Sequence, residues 1–156
     1  MTMAPADVLV GIAGEEAAQV LALGSRLALS AGQVLFRLGD AAECLFVVER
    51  GRIALTLPMT VRDREQDVLI EERSPGQSLG WSALVPPHRL TLKAAAAVDT
   101  GVIALPRAAL FDHFAAHPAV GYAVMRNLGA VVGHRLQVMQ TMWLREVQRV
   151  VEISRA

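Results

Sequence analysis

Between residues 26 and 105 the apolar positions fall in short runs, broken at close intervals by glycine, aspartate and charged residues. That spacing suits half-buried strands joined by tight turns. Runs at 26–29, 33–36, 44–48, 52–57, 67–71, 94–97 and 101–105 predict strands, with Ala31-Gly32, Gly39-Asp40 and Gly51 as turns. Taken in order, the early runs predict a β meander. Residues 58–66 carry Arg62, Asp63, Arg64 and Glu65 and predict a solvated hairpin tip. Many short strands with regular turns predict a sandwich or a barrel.

Helical patterns flank this region. Residues 1–6 predict a loose terminus, and residues 14–23, with Glu15 and Glu16 in the first turn, a short helix closed by Gly24. Pro106 suits the start of a helix over 107–116, and Pro118 restarts one. From Ala119 onward Val120, Val124, Leu128, Val131, Met139, Met142, Trp143, Val147 and Val150 recur at mostly helical spacing, with Leu136 filling the one longer step. At the α-helical rise this element is on the order of 50 Å long, more than a small β domain covers. The excess predicts a homodimer through residues 119–145, with Val124, Leu128, Val131 and Leu136 at the interface. Gly129 and Gly133 permit close helix approach or mark points where the helix bends.

One stretch, Arg73-Ser-Pro-Gly-Gln-Ser-Leu-Gly-Trp-Ser-Ala-Leu-Val-Pro-Pro-His-Arg-Leu-Thr-Leu-Lys-Ala94, breaks the β pattern. Gly76 and Gly80 allow positive φ, residues 81–85 predict one helical turn, and Pro86-Pro87 ends it before a strand resumes at 90–94. Free N–H groups at that turn, with Arg89 close by, predict an anion cradle; an ordinary connecting loop is the alternative.

At 156 residues, 53% of them hydrophobic and 19% charged, the chain predicts one folded domain over 1–156, with a roll at about 24–105 and helices at about 106–154. Zero net charge gives no global attraction for nucleic acid or an anionic membrane. Cys44 is the single cysteine, no leader pattern opens the chain, and no apolar run is long enough to span a bilayer, so a soluble cytoplasmic protein is expected. His88, His113, His117 and His134 do not alternate on strands as a metal site in a β barrel requires, and no nucleophile elbow or HExxH motif is present. Neither catalysis nor a metal is expected. Cys44, between Glu43 and an apolar run, reads as a buried, inert thiol.

With this order in view the chain resembles the cyclic nucleotide-binding domain family, in particular the sensor half of catabolite-activator-type bacterial regulators. The residues that carry the resemblance are Ala31-Gly-Gln-Val-Leu-Phe36, Gly39-Asp-Ala-Ala-Glu-Cys-Leu-Phe-Val-Val-Glu-Arg-Gly-Arg-Ile53, Pro75-Gly-Gln-Ser-Leu-Gly80 and the helical segment 105–118. The resemblance implies a mainly β fold with α: a β jelly roll with a short N-terminal helix and a long C-terminal dimerisation helix. It makes the irregular stretch a phosphate-binding cassette, with Gly80, Trp81, Ser82, Ala83, Arg89, Leu90 and Thr91 as ligand-binding positions. Two of these depart from the family pattern. Trp81 stands where a ribose-binding Glu is usual, and Leu90 stands where the phosphate Arg is usual, with Arg89 one residue early and turned to the other face by strand alternation.

The expected function is a non-enzymatic, small-molecule-sensing regulatory dimer for which cyclic AMP and cyclic GMP are poor ligands. A small anionic ligand and a protein partner are both compatible with the sequence. The alternative is a degenerate scaffold of the same fold that acts in dimerisation or protein interaction without a ligand. The resemblance covers about residues 8–145 and only residues 146–156 follow it, so no DNA-binding module is expected. Arg126, Arg135, Arg145, Arg149 and Arg155 read as a solvated helix face, offset by Glu146 and Glu152.

Overall fold

The computed structural model describes residues 5–156. The predicted loose terminus lies in part outside the described residues, but Ala6 is buried and the Asp7 N–H donates to Gly76 O at 2.8 Å. After a 3-10 turn at Asp7–Leu9 come α1 (Gly14–Leu21), β1 (Ser25–Leu29), β2 (Val34–Phe36), β3 (Cys44–Arg50), β4 (Ile53–Val61), β5 (Arg64–Arg73) and β6 (Ser78–Leu79). A second 3-10 turn, Trp81–Ala83, precedes β7 (Lys93–Ala96), β8 (Thr100–Pro106), α2 (Arg107–Ala116) and α3 (Pro118–Arg155).

The strands form two antiparallel four-stranded sheets, ordered β1-β8-β3-β6 and β2-β7-β4-β5. This is the expected jelly roll and not a meander. Among the described strands only β4 and β5 are consecutive in sequence and paired, because the chain crosses between sheets at all the other connections between them. That hairpin is tighter than predicted. Pairing runs to Val61 and Arg64, leaving Arg62 and Asp63, both at positive φ, as the tip. Residues 90–92 form no strand of their own. Arg89 makes an isolated bridge with Ala41, and the Leu90 N–H donates to Asp40 O at 2.9 Å, pinning the segment to the turn after β2.

Inward residues of both sheets make the core, with Leu45, Val47, Ile53, Leu55, Leu79, Val102 and Leu105 essentially fully covered. Each such side chain contributes about 1.5–3 kcal/mol by leaving water. The first half of α3 closes the roll with Val120, Val124 and Leu128. Asn127 Nδ2 donates to Val8 O and Val10 O at 2.9 and 2.8 Å, so the N-terminal turn is tied to α3.

Two of the expected dimer positions therefore lie elsewhere. Val124 and Leu128 belong to the core of their own chain, Leu128 at 2% exposure, while Val131 is partly covered beside Asp7 and Arg73. Leu136 is 57% exposed. What reads in sequence as one stripe is two: a roll-facing set ending at Arg135, and an outward set described below. Every residue from 136 to 155 is exposed. A Cβ added at Gly129 or Gly133 would meet nothing within 4 Å outside the helix's own backbone among the described residues, and α3 passes through both without interruption.

Candidate functional site

The irregular stretch packs at one end of the roll. Gly76 and Gly80 both adopt positive φ, 85° and 79°. At Gly80 a Cβ would also meet Cys44 O at 3.1 Å and Phe46 at 3.3 Å, so both backbone sign and space call for glycine. The turn after it spends donors that the sequence reading left free for a ligand. The Ala83 N–H bonds Gly80 O at 3.0 Å, and those of Leu84 and Val85 bond Trp81 O and Ser82 O. His88 Nδ1 lies 2.9 Å from Ser82 O, which fastens the loop to the turn.

The side chains of Phe36, Leu55, Trp81, Leu90 and Leu92 converge with Gly80, Ser82, Thr91 and Arg135 around a space of about 10 Å³. That is about the room one water needs. Leu90 is 6% exposed and Trp81 is partly covered and packed on the core. Of the predicted ligand positions, Gly80, Trp81, Ser82, Leu90 and Thr91 meet here. Ala83 is buried beneath the turn and is not part of the lining. Arg89 is also outside it. Its guanidinium is exposed, with Nη1 3.4 Å from Gly39 O, because Leu90 and Arg89 point to opposite faces of the extended segment.

The cation of the site comes from α3 instead. Arg135 is 11% exposed, and its Nε donates to Glu71 Oε2 at 3.0 Å. The other Glu71 oxygen, Oε1, accepts from Arg73 Nη1 at 2.7 Å. Arg73 is buried and fully engaged, with Nε on Ser78 O at 2.8 Å and Nη2 on Asp7 Oδ2 at 3.0 Å. Asp7 in turn accepts the Ser78 N–H. A chain of charges, Asp7–Arg73–Glu71–Arg135, thus joins the N-terminal turn, β5 and α3. Burial pushes the Arg135 guanidinium below its ordinary pKa, and the Glu71 carboxylate opposes that shift. Its Nη2 is buried and has no hydrogen-bond partner among the described residues.

Arg135 is the residue that sequence reasoning placed wrongly, on a solvated face. The usable clue was its position at the roll-facing spacing, four residues after Val131 and seven after Leu128. Nothing local in the sequence points to Glu71, 64 positions away. Cys44 is a partly covered free thiol, and burial followed by the Glu43 charge pushes its pKa up. No group of three or more His, Cys, Asp or Glu is placed to hold a metal ion among the described residues, and no helix there is long and apolar enough to cross a membrane.

Comparison with known proteins agrees with the architecture. The N-terminal domain of a transcriptional regulator from Streptomyces coelicolor A3(2) superposes with a TM-score of 0.68 at 25% identity, covering 84% of this chain and 89% of that one. The Thermus thermophilus catabolite activator protein superposes with a TM-score of 0.74 at 24% identity, covering 92% of this chain and 63% of that one. Glutaminase 2 of Bradyrhizobium diazoefficiens is 28% identical over 124 residues, 78% of this chain but only 18% of that protein's length. The model of the cyclic nucleotide-binding domain matches residues 26–117, more than half of the sequence. This chain belongs to the cyclic nucleotide-binding domain family.

Proposed function

We propose that the chain is a non-enzymatic regulatory module that acts as a homodimer through α3 and does not take cyclic AMP or cyclic GMP. The volume of the cassette pocket carries this reading. Pockets for ligands of nucleotide size run to about 300 Å³ or more, against about 10 Å³ between Trp81, Leu90 and Arg135. Trp81 has no acceptor for a ribose hydroxyl, and Arg89 faces away from the site. The geometry thus counts against nucleotide sensing.

The surface for dimerisation is the outward stripe of α3. Tyr122, Met125, Val132, Leu136, Met139, Trp143, Val150 and Ile153 follow three-and-four spacing, with Gly129 and Glu146 at the two remaining heptad positions. Most are well exposed, Tyr122 at 71% and Trp143 at 67%. A stripe of this length on a soluble monomer would leave an unusually large apolar surface in water. Leu144 and Val151, beside the stripe, are exposed as well and extend the surface available to a protein partner. We place the module in the cytoplasm, where a reducing environment keeps a lone thiol such as Cys44 free.

Two measurements on the ligand-free protein test the reading. Calorimetry with cyclic AMP and cyclic GMP is expected to give no saturable heat below about millimolar ligand. Sedimentation at tens of micromolar protein is expected to give a dimer. A dissociation constant near one micromolar for either nucleotide would overturn the closed-pocket reading, and a monomer would overturn the role of α3.

A further inference from the structure

A carboxylate that meets an arginine side-on normally bridges Nε and Nη2 with its two oxygens. At Arg135 only half of that fork is filled. Glu71 Oε2 accepts from Arg135 Nε at 3.0 Å, but Glu71 Oε1 accepts from Arg73 Nη1 at 2.7 Å. Arg73 has Asp7 in addition, whereas among the described residues Arg135 has one carboxylate oxygen and nothing further. Its Nη2 is buried and lacks a partner among the described residues, and Arg135 is one of the residues around the space between Gly80, Trp81, Ser82 and Leu90. A buried cationic donor left without an acceptor is costly, and an ionised acceptor repays that cost better than a neutral one.

We propose that Arg135 Nη2 is the anion-binding group of this pocket and that its guest is a small monoanion, a halide or a carboxylate of formate or acetate size. The proposal rests on the reading that the pocket is closed to nucleotides, since a guest of nucleotide size would need wholesale opening of the lining. Trp81 is the largest side chain of the lining that keeps some solvent exposure, and binding requires its indole to shift to give the extra space that bromide, formate or acetate needs. The cation has moved from the cassette to the long helix, and this changes what binding does. Arg135 is the last residue of α3 covered by the roll, and residues 136–155 beyond it are all exposed. An anion held here bonds directly to the point where α3 leaves the roll.

The test uses the full chain in sodium bromide, formate or acetate against sodium sulfate, whose dianion is larger than any of the proposed guests, at constant ionic strength. Bromide, formate and acetate are expected to raise the melting temperature saturably, and a bromide-soaked crystal to show an anomalous peak within hydrogen-bonding distance of Arg135 Nη2. Arg135→Met is expected to abolish the saturable shift, and Arg135→Lys, which keeps the charge but loses the fork, to weaken it about tenfold. Should Arg135→Met fail to fold, the bromide map of the unaltered protein and the lysine variant still decide. No anomalous peak at Nη2, with water density persisting there in bromide, overturns the proposal. So does an equal shift in a folded Arg135→Met variant. Failure here is distinct from failure of the closed-pocket reading, which calorimetry with cyclic nucleotides measures separately.

Discussion

Under the closed-pocket reading proposed above, Trp81 and Leu90 stand where a ribose acceptor and a phosphate cation would be needed, and both are packed around the small space instead. Losing a buried hydrogen bond costs about 1–3 kcal/mol, and losing the phosphate cation a similar amount, so together they weaken a nucleotide by roughly two to four powers of ten. Replacing both, Trp81→Glu with Leu90→Arg, is therefore expected to bring cyclic AMP binding back into the range that calorimetry detects. If the double variant folds and dimerises yet still binds nothing, the closure lies with Arg135 and α3 and not with the cassette. Cys44 offers a second test at this scale. Burial and the neighbouring Glu43 both disfavour its thiolate and raise its pKa above the usual thiol value, so at any pH below that range the folded chain carries less thiolate than an unfolded one. Alkylation by iodoacetamide should then be slower in the folded protein, with its rate rising at a higher pH than in the denatured chain. Equal profiles in the two states would show that the thiol is not held in its neutral form.

At the scale of elements, α3 carries two faces that substitutions separate. Leu128 is covered by its own roll, so Leu128→Asp buries an unpaired carboxylate and is expected to cost several kcal/mol, enough to unfold a domain of ordinary stability. Trp143→Glu sits on the outward stripe and is expected to dissociate the dimer while leaving the melting of the monomeric roll nearly unchanged. Sedimentation and thermal melting of the two variants check this, and the assignment of faces fails if Leu128→Asp yields a folded monomer. The same helix marks the limit of what sequence periodicity conveys. Its start at Pro118, its length and its apolar excess are all legible, because they depend on residues three and four apart. Which apolar residues face the roll depends on the rotation of α3 against Val8 and Val10, a long-range matter. β6, two residues long, is too short for any period to register, and the strand partners are set by crossovers that no local pattern encodes. Gly80 was legible as a glycine that the turn requires, whereas the pairing of Arg135 with Glu71 was not, since it joins two elements whose proximity only the fold creates.

For the whole molecule, the consequence is a division into a part that stabilises itself and a part that does not. The roll has its own core, and the Asp7–Arg73–Glu71–Arg135 chain fastens the N-terminal turn and the first half of α3 to it. Residues 136–155 lie beyond that fastening and are all exposed, with Arg149–Glu146 at 3.5 Å as their ion pair. An exposed pair of this kind contributes about 0.3–0.5 kcal/mol, and beyond Arg135 the helix has no face packed on its own roll, the main source of helical stability in proteins. The helicity of this segment should therefore come from association and follow mass action. Dilution from tens of micromolar to well below the dimer dissociation constant is expected to lower the helical circular dichroism signal and to speed amide exchange in residues 136–155. In a Trp143→Phe variant, the fluorescence of Trp81 then reports the roll alone, and its melting should change little over the same dilution. Exchange in 136–155 that stays slow in a demonstrated monomer would mean that the tail is held by something other than a second copy of the helix. Loss of the Trp81 transition in step with the helical signal would mean that roll and tail fold as one unit and that the boundary at Arg135 has no energetic meaning.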